Sequence, residues 1–273
     1  MVTSNLAFKE KNSIEPEVVV NESPVKWCAV ALSDVVARGK RLEASVFDVE
    51  AKQAYMLLTH GKYPAVNLIS KNGPVEKAYY GGRLKRHYVD ETEPGAVGFL
   101  GSSEMLDCKP EPVKFMLNDV KTADVRVKQG VVLISRSGTI GNVTYVGNTL
   151  SKFFVSEHAI RIECKDFPGY VYAFLKTKIG KLIVCSTQYG AVIQEIEPEH
   201  LATVPIPDAP TMLKKKIHDL IVRSYELRDE SNDLIDQATA LLIGELKLPD
   251  IDAFDVGLYK KAAPVDTFSV RLS

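Results

Sequence analysis

Two short segments of the sequence combine residue types that suit contacts with phosphate groups. The first is the turn Ser135-Arg136-Ser137-Gly138-Thr139-Ile140-Gly141, which separates two apolar runs. Its glycines permit positive φ and a close approach of the backbone to a partner. The guanidinium of Arg136 and the hydroxyls of Ser135 and Thr139 are suited to bind phosphate oxygens. A plain hairpin turn with a surface arginine explains the pattern equally well, and the Gly-Lys-Ser/Thr ending of nucleotide hydrolases is missing.

The second segment is Ala78–Tyr88, in which three cations lie within four residues and are interleaved with tyrosines. Its candidate DNA-contacting residues are Tyr79, Tyr80, Arg83, Lys85 and Arg86. A loop of this composition can follow phosphates while aromatic and arginine groups reach base edges. A solvated charged surface is the alternative. Farther along the chain, Gln188 and Tyr189 could contact an adenine or, alternatively, serve in a turn.

Patterns typical of catalysis and metal binding are missing from the sequence. The five histidines form no HExxH pair, no G-x-S-x-G elbow occurs, and the four cysteines form no CxxC pair. The Asn/Asp-Pro-Pro-Tyr/Phe signature of methyltransferases is also missing. The sequence therefore shows no catalytic constellation, and a zinc site is not expected. A hydrolase with an unrecognised site is the least favoured alternative, and its only support is the turn Gly138–Gly141.

The elements that must position these residues form a strand-rich region followed by helices. Short apolar runs separated by turn residues predict strands at Ala65–Ile69, Val97–Leu100, Val131–Ser135, Val143–Val146 and Ala159–Ile162. Helical spacing then predicts one helix over Gly169–Lys181. The fold class is therefore predicted to be α+β.

One long helix is predicted after the proline-rich segment Val204–Pro210, because proline lacks the backbone donor and cannot continue a helix. From Thr211, positions spaced alternately by four and three residues form a heptad seam. Its apolar members are Leu213, Ile217, Leu220, Leu227, Leu234 and Leu241, with small residues at Ser224, Ser231 and Ala238. About 35 residues at 1.5 Å each give a rod about 50 Å long. Because two seam positions are serine, the helix is predicted to pack closely against a partner rather than within a large core.

The composition agrees with an ordinary globular protein. Hydrophobic residues make up 45% and charged residues 25%, and the net charge of −1 favours neither nucleic acid nor any other partner. No apolar run reaches the ~20 residues of a membrane span, and the polar first 24 residues lack a signal-peptide pattern. We expect a cytoplasmic protein without a membrane partner.

Four segments are predicted along the chain: a flexible lead-in over 1–25, a strand-rich domain over 26–208, the long helix over 209–247 and a loop over 248–273. The last segment ends in Ser269–Ser273, which echoes Ala29–Ser33 in three of five positions. This echo suggests the start of a second repeat, and chance similarity is the alternative.

Several of these motifs, taken in order, resemble the specificity (S) subunit of type I restriction–modification systems. The matching segments are Leu133–Gly141, Ser156–Ile162, Pro168–Leu175, Gly190–Gln194 and Val204–Pro207, followed by the heptad helix. The resemblance covers about residues 27–246. It implies one α+β target recognition domain, followed by a coiled-coil-forming spacer helix.

The resemblance also implies function and partners. It implies that the chain reads half of a bipartite site in double-stranded DNA and recruits modification subunits and restriction subunits. The resemblance implies a subunit without catalysis of its own and without a cofactor or metal. The modification subunits methylate adenine with S-adenosylmethionine, so the cofactor belongs to the partner. Within this resemblance, Ser135, Arg136 and Thr139 are expected to position the DNA backbone, and Arg83, Lys85 and Arg86 to contact bases.

The chain differs from the family in having one half only. It is either a piece of a two-domain subunit, a half-subunit that forms a homodimer through the long helix, or part of a fused enzyme. The alternative reading outside this family is an adaptor that does not bind DNA, whose long helix docks a partner.

Overall fold

The computed structural model describes residues 29–37, 40–42, 44–190 and 194–246 of the chain. The predicted lead-in and the terminal loop with its sequence echo lie outside the described residues. The α+β class is confirmed, since helices accompany three β-sheets and a long helix ends the described part.

Helices occupy both ends of the described chain and one central stretch. The α-helices are α1 (Leu32–Ala37), α2 (Val49–Thr59), α3 (Asn148–Ser151), α4 (Pro168–Lys176), α5 (Lys178–Cys185), α6 (Pro198–Ala202) and α7 (Thr211–Leu246). Short 3-10 helices span Ala44–Phe47, Glu104–Leu106 and Val120–Val125.

The single helix predicted over Gly169–Lys181 is wrong, because Thr177 divides it into α4 and α5. Thr177 has extended backbone angles and its hydroxyl accepts a hydrogen bond from the N–H of Gly180 at 3.0 Å. Threonine is a favoured N-cap because its oxygen satisfies a free N–H of the first turn. A Cβ on Gly180 would lie 2.3 Å from the carbonyl oxygen of Phe174, so this glycine lets the two helices approach each other.

The strands form one two-stranded and two four-stranded sheets. They are β1 (Ala65–Asn67), β2 (Val75–Tyr80), β3 (Tyr88–Val89), β4 (Ala96–Leu100), β5 (Phe115–Leu117), β6 (Val132–Ser135), β7 (Val143–Tyr145), β8 (Phe154–Val155), β9 (Ala159–Cys164) and β10 (Pro205–Pro207). The strand orders are β1-β10, β2-β9-β6-β7 and β3-β5-β4-β8, with only the β4–β8 pairing parallel. The five predicted strands all exist.

The segment Ala78–Tyr88, predicted as a loop, is partly wrong. Strand β2 continues through Tyr80, and it pairs with β9 so that Tyr79 lies opposite Arg161 and Tyr80 opposite Ile160. Regular structure stops only at Gly81 and resumes at Tyr88. The tyrosines therefore belong to a sheet, and only the cations of this segment lie on a loop.

The main hydrophobic core lies between the β2-β9-β6-β7 sheet and helices α4, α5 and α7. Ile134, Ile160 and Val171 are fully buried in it, and Ile217 and Ile221 of α7 pack against it. A second core cluster, which contains Leu100 and Leu133, fills the space toward the other four-stranded sheet.

Tyr225 attaches α7 to strand β7. Its ring is 7% exposed and packs against Tyr145 and Tyr172, with ring centroids 5.2 and 5.6 Å apart. Its hydroxyl oxygen accepts a hydrogen bond from the N–H of Tyr145 at 3.1 Å and lies 3.2 Å from the hydroxyl of Thr144. The ring of Tyr225 thus buries apolar surface, and its hydroxyl supplies the hydrogen-bond acceptor that the buried N–H of Tyr145 requires.

One turn farther along α7, the carboxylate of Asp229 accepts hydrogen bonds from the N–H groups of Asn148 and Thr149, at 2.9 and 3.2 Å. These are the first residues of α3, whose preceding Gly147 makes no side-chain cap. Asp229 thus caps α3 from another helix. The chain divides into two compact units between Asp229 and Glu230, so the first unit includes the part of α7 that packs on the domain.

Among the residues that the structure describes, no helix combines the length and the apolar character that crossing a bilayer requires.

The substitution Tyr225→Phe tests the attachment of α7. It keeps the ring and leaves the buried N–H of Tyr145 without its acceptor, which costs about 1–3 kcal/mol. We expect a lower midpoint of urea unfolding with an unchanged slope. Thr239→Ala removes a hydroxyl at an exposed position of the same helix outside the heptad seam and is the matched control. Equal stability of Tyr225→Phe and the control would show that the hydroxyl contributes nothing to the attachment.

Candidate functional site

The Ser135–Gly141 turn links β6 to β7 and is stabilised by its own hydrogen bonds. Ser135 is fully buried, and its hydroxyl donates to the carbonyl oxygen of Ser137 at 3.1 Å and lies 3.0 Å from the hydroxyl of Thr139. Gly138 and Gly141 have φ of 73° and 76°, which is the backbone freedom expected from the sequence. Of the three predicted contact residues of this turn, only Thr139 is exposed.

Arg136 lies in a buried ion-pair cluster. Its side chain is 7% exposed, and one guanidinium nitrogen donates to the carboxylates of Glu195 at 2.8 Å and Glu197 at 2.6 Å. The ring of Tyr80 lies 4.9 Å from the guanidinium carbon, and the hydroxyl of Tyr189 donates to Glu197. Three predicted residues, Tyr80, Arg136 and Tyr189, are thus brought together.

The guanidinium of Arg136 is engaged by protein carboxylates, and the phosphate contact expected of it stays a prediction. Its donors face protein carboxylates rather than solvent, because Glu195 and Glu197 follow one side of an extended segment while Ile196 enters the core. The N–H of Ile196 also donates to the carbonyl oxygen of Arg136 at 3.1 Å. Arg136 therefore holds the segment before α6 against the end of β6.

The cluster changes the ionisation of its members. Burial alone would raise the pKa of Glu197, but the hydrogen bond from Tyr189 and the nearby Arg136 outweigh burial, and the pKa lies below its ordinary value of 4.5. Burial alone would lower the pKa of Arg136, and the hydrogen bond to Glu197 keeps it raised. Both groups are charged at neutral pH, and each stabilises the charge of the other.

Tyr79 is engaged at its hydroxyl. Its hydroxyl donates to Glu163 at 2.5 Å, and the ammonium of Lys77 lies 4.9 Å from its ring centroid. Burial and the hydrogen bond to Glu163 raise the pKa of Tyr79 to about 12. The phenol is therefore a neutral group at physiological pH.

The three cations after Gly82 differ in their surroundings. Arg83 and Lys85 are exposed, and within the described part of the chain neither forms an ion pair. Arg86 is held, since one of its guanidinium nitrogens donates to both carboxylate oxygens of Glu157 at 2.9 and 2.8 Å. Its guanidinium carbon also lies 5.0 Å from the ring of Phe99. Arg83 and Lys85 are thus free to contact an external anion, while Arg86 would first have to leave Glu157.

Gln188 and Tyr189 lie at the end of α5, on the segment that leads to Glu195. The carbonyl oxygen of Gln188 accepts a hydrogen bond from Arg41 at 2.8 Å. Tyr189 and Glu195 exchange both of their backbone hydrogen bonds, at 2.9 and 2.8 Å. The two residues contribute to the stability of this segment, and any contact that they make with DNA stays a prediction.

Sequence reasoning missed the acidic partners of the arginines and two further cations. These residues are Glu157, Glu195, Glu197, Arg126 and Lys128. The alternation of Glu195-Ile196-Glu197 was a signal, because such a pattern in an extended segment places both carboxylates on one side. No local pattern could have paired Glu157 with Arg86, which lies 71 residues away. In the residues that the structure describes, no group of three or more His, Cys, Asp or Glu side chains could hold a metal.

Glu197→Gln tests the ion-pair cluster. Because the pKa of Glu197 is lowered on folding, its stabilisation is present above pH 4.5 and is lost as the pH falls through the lower folded value. At pH 7 we expect a loss of roughly 1.5–3 kcal/mol, the range for hydrogen bonds to charged groups. The difference from the unsubstituted protein should shrink below pH 4.5 in denaturant titrations.

Glu199→Gln is the control, since Glu199 is an exposed carboxylate of α6. It should leave stability nearly unchanged across the same pH range. A stability difference for Glu197→Gln that stays constant from pH 7 to pH 3 would contradict the ionic origin of the effect.

Comparison with known proteins finds similar solved structures only. Neither a family model nor a curated protein matches the sequence. A type I restriction-modification S subunit from M. genitalium has a TM-score of 0.45 and 16% identity, over 74% of this chain and 49% of that one. An HsdS subunit from Thermoanaerobacter tengcongensis has a TM-score of 0.41 and 16% identity, over 73% of this chain and 49% of that one.

A third similar chain belongs to a structure that describes complex assembly and conformational transition of the type I R-M system. Its TM-score is 0.40 with 15% identity, over 78% of this chain and 55% of that one. The present chain thus spans about half the length of these relatives. Their TM-scores are too low for the likeness to decide a function.

Proposed function

We propose that the chain acts as half of a type I DNA specificity subunit. In this proposal the domain over 26–208 binds one half of a bipartite DNA site and α7 is the spacer that sets the distance to the other half. The order of the sequence motifs supports the assignment, and so does the arrangement of a strand-rich domain that ends in one long helix.

The observation that carries the proposal is the leucine column of α7. Five leucines recur at intervals of seven residues, and all are exposed: Leu213 by 36%, Leu220 by 63%, Leu227 by 48%, Leu234 by 56% and Leu241 by 65%. The helix packs on the domain through another face, which contains Ile221 and Tyr225. Exposed leucines at heptad spacing are the pattern of a helix that pairs with a second helix.

Ile217 differs from the other apolar residues of the predicted seam. It is partly buried and packs against the main core of its own domain. The face offered to a partner thus consists of the leucine column together with the small residues Ser224, Ser231 and Ala238, all of them exposed.

The exposed cations support DNA as the ligand of the domain. Arg83 and Lys85 lie on the loop after β2, and Arg126 and Lys128 on the segment before β6. Gly82, Arg126 and Lys128 border the same surface cleft. Exposed cations on these two segments, of which Arg126 and Lys128 border the cleft itself, can neutralise several phosphates of a duplex. Such contacts are the main source of affinity for DNA.

The proposal assigns all chemistry to partners. Modification subunits that bind S-adenosylmethionine would methylate adenine, and restriction subunits would join the full complex. Two copies of this chain, paired through their leucine columns, would present two recognition domains related by a twofold axis. Such a homodimer would select a palindromic bipartite site.

The proposal is tested by mapping adenine methylation across the source genome, with and without the gene for this chain. Loss of one bipartite motif on deletion is the expected result. A palindromic motif would indicate the homodimer, and an asymmetric motif would indicate that a second recognition domain contributes. Unchanged methylation in a strain that expresses modification subunits would contradict the proposal and favour an adaptor that does not bind DNA.

Leu220→Asp and Leu227→Asp test the leucine column. A charge in the seam should abolish helix pairing, so that at protein concentrations high enough to populate the dimer the mass measured by light scattering falls toward 30.2 kDa. Ala240→Asp adds the same charge at an exposed position off the column and should leave the mass unchanged. The thermal unfolding of the domain should be similar in all three variants. A dimer that survives both leucine substitutions would exclude this face as the interface.

Arg83→Ala and Lys85→Ala test the DNA-binding loop. Each should weaken duplex binding and reduce the slope of log affinity against log salt by about 1, the change expected for one lost phosphate contact. Lys71→Ala removes an exposed cation on the turn before β2 and should change neither quantity. Salt slopes equal to that of the unsubstituted protein would remove both residues from the interface.

A further inference from the structure

A cleft lies between the end of β2 and the segment that leads into β6. Its volume is about 690 Å³, and it is bordered by Tyr79–Gly82 on one side and Ala123–Val131 on the other. Three of its bordering side chains are cations, Arg126, Lys128 and Arg161, and one, Asp124, is an anion. The cleft therefore has an excess of positive charge in a protein whose overall charge is −1.

Arg161 is the unusual member of this set. It is 1% exposed, and its guanidinium donates only to backbone carbonyl oxygens: those of Ala159 at 3.1 Å, Val125 at 3.4 Å and Val155 at 2.7 Å. Its Nε has no hydrogen-bond partner. Within the described residues no carboxylate forms an ion pair with Arg161, in contrast to the pairs of Arg136 and Arg86.

A buried cation without a counter-ion is energetically costly, because carbonyl dipoles replace only part of its hydration. Burial lowers the pKa of Arg161, and the nearby Tyr79, Glu157 and Asp124 offset this only in part. An arginine stays protonated in proteins, so the charge remains and its field reaches the cleft.

Gly81 keeps space next to this guanidinium. A Cβ at Gly81 would lie 2.6 Å from the carbonyl oxygen of Asp124 and 3.1 Å from a guanidinium nitrogen of Arg161. A side chain here would therefore clash with the backbone of the opposite segment. Because Gly81 has no side chain, the end of β2 can approach both the carbonyl oxygen of Asp124 and the guanidinium of Arg161. The wall of the cleft at this point consists of bare backbone.

We propose that this cleft is a phosphate-binding subsite. Lys128 and Arg126, both exposed, supply the donors that contact the phosphate, and Arg161 supplies a fixed positive charge beneath them. The ring of Phe154 lies 5.9 Å from the guanidinium carbon of Arg126 and restricts the positions that this side chain can adopt. The identification of the phosphate as one of the DNA backbone rests on the proposed function; the anion site itself does not.

The first experiment is calorimetric titration of the full chain with pyrophosphate in a chloride buffer of constant ionic strength. The unsubstituted protein should bind, and the double variant Arg126→Gln, Lys128→Gln should bind roughly tenfold more weakly or not at all. Lys176→Gln, which removes an exposed cation at the end of α4, should bind as the unsubstituted protein does. No binding by the unsubstituted protein, or equal binding by the double variant, would overturn the proposal.

Arg161→Gln tests the buried charge separately. If the variant folds, pyrophosphate should no longer raise its unfolding temperature, although it should raise that of the unsubstituted protein. An equal rise in both proteins would remove Arg161 from the site. If the variant does not fold, the double variant of the exposed cations still decides the proposal.

The source of the phosphate is identified with a DNA duplex. Loss of Arg126 and Lys128 should reduce the salt slope of duplex binding by about 2. An unchanged slope, with pyrophosphate binding lost, would overturn the assignment to the DNA backbone. Pyrophosphate binding by a chain that binds no duplex would contradict the proposed function and leave the anion site in place.

Discussion

The hydrogen bond between Tyr225 and strand β7 determines which face of the long helix α7 stays exposed. It fixes the rotation of α7 about its own axis, because a buried aromatic ring with a buried polar partner tolerates one orientation only. With Tyr225 directed at the sheet, the leucines at intervals of seven residues are directed elsewhere. A helix rotated by half a turn would instead direct Leu220 and Leu227 at its own domain.

Two buried arginines of the same sheet differ in how the cost of burying a charged guanidinium is offset. Arg136, at the end of β6, is neutralised by Glu195 and Glu197, and its charge is used inside the domain. Arg161, on β9, donates hydrogen bonds only to carbonyl oxygens and forms no ion pair within the described residues. The carboxylates around Arg136 cancel most of its electric field outside the domain, so this arginine acts within the fold. The charge of Arg161 is not cancelled by an ion pair and adds a positive field to the adjacent cleft.

The sequence predicts much of the fold and less of the site, for physical reasons. The strands from Val97 to Ile162 and the helix after Pro210 are predictable because apolar spacing and proline act locally. The break at Thr177 was missed because helical periodicity continues across a cap that only the hydroxyl of Thr177 reveals. The site residues are harder to predict, because a charge pattern does not show whether an arginine faces solvent. Arg83 does, whereas Arg136 meets carboxylates about 60 residues away in sequence.

The exposure of the leucine column sets a limit on how strongly two copies can associate. Complete burial of a leucine contributes about 1.5–3 kcal/mol, and these leucines already have about half of their surface covered, so each would add roughly 1 kcal/mol. Five leucines from each copy thus contribute about 10 kcal/mol, which is comparable to the cost of association, about 4–15 kcal/mol. Serines and an alanine at the other seam positions add little apolar area. The helices alone would therefore give a marginal dimer, and in the proposed assembly the DNA and the modification subunits would supply the remaining stability.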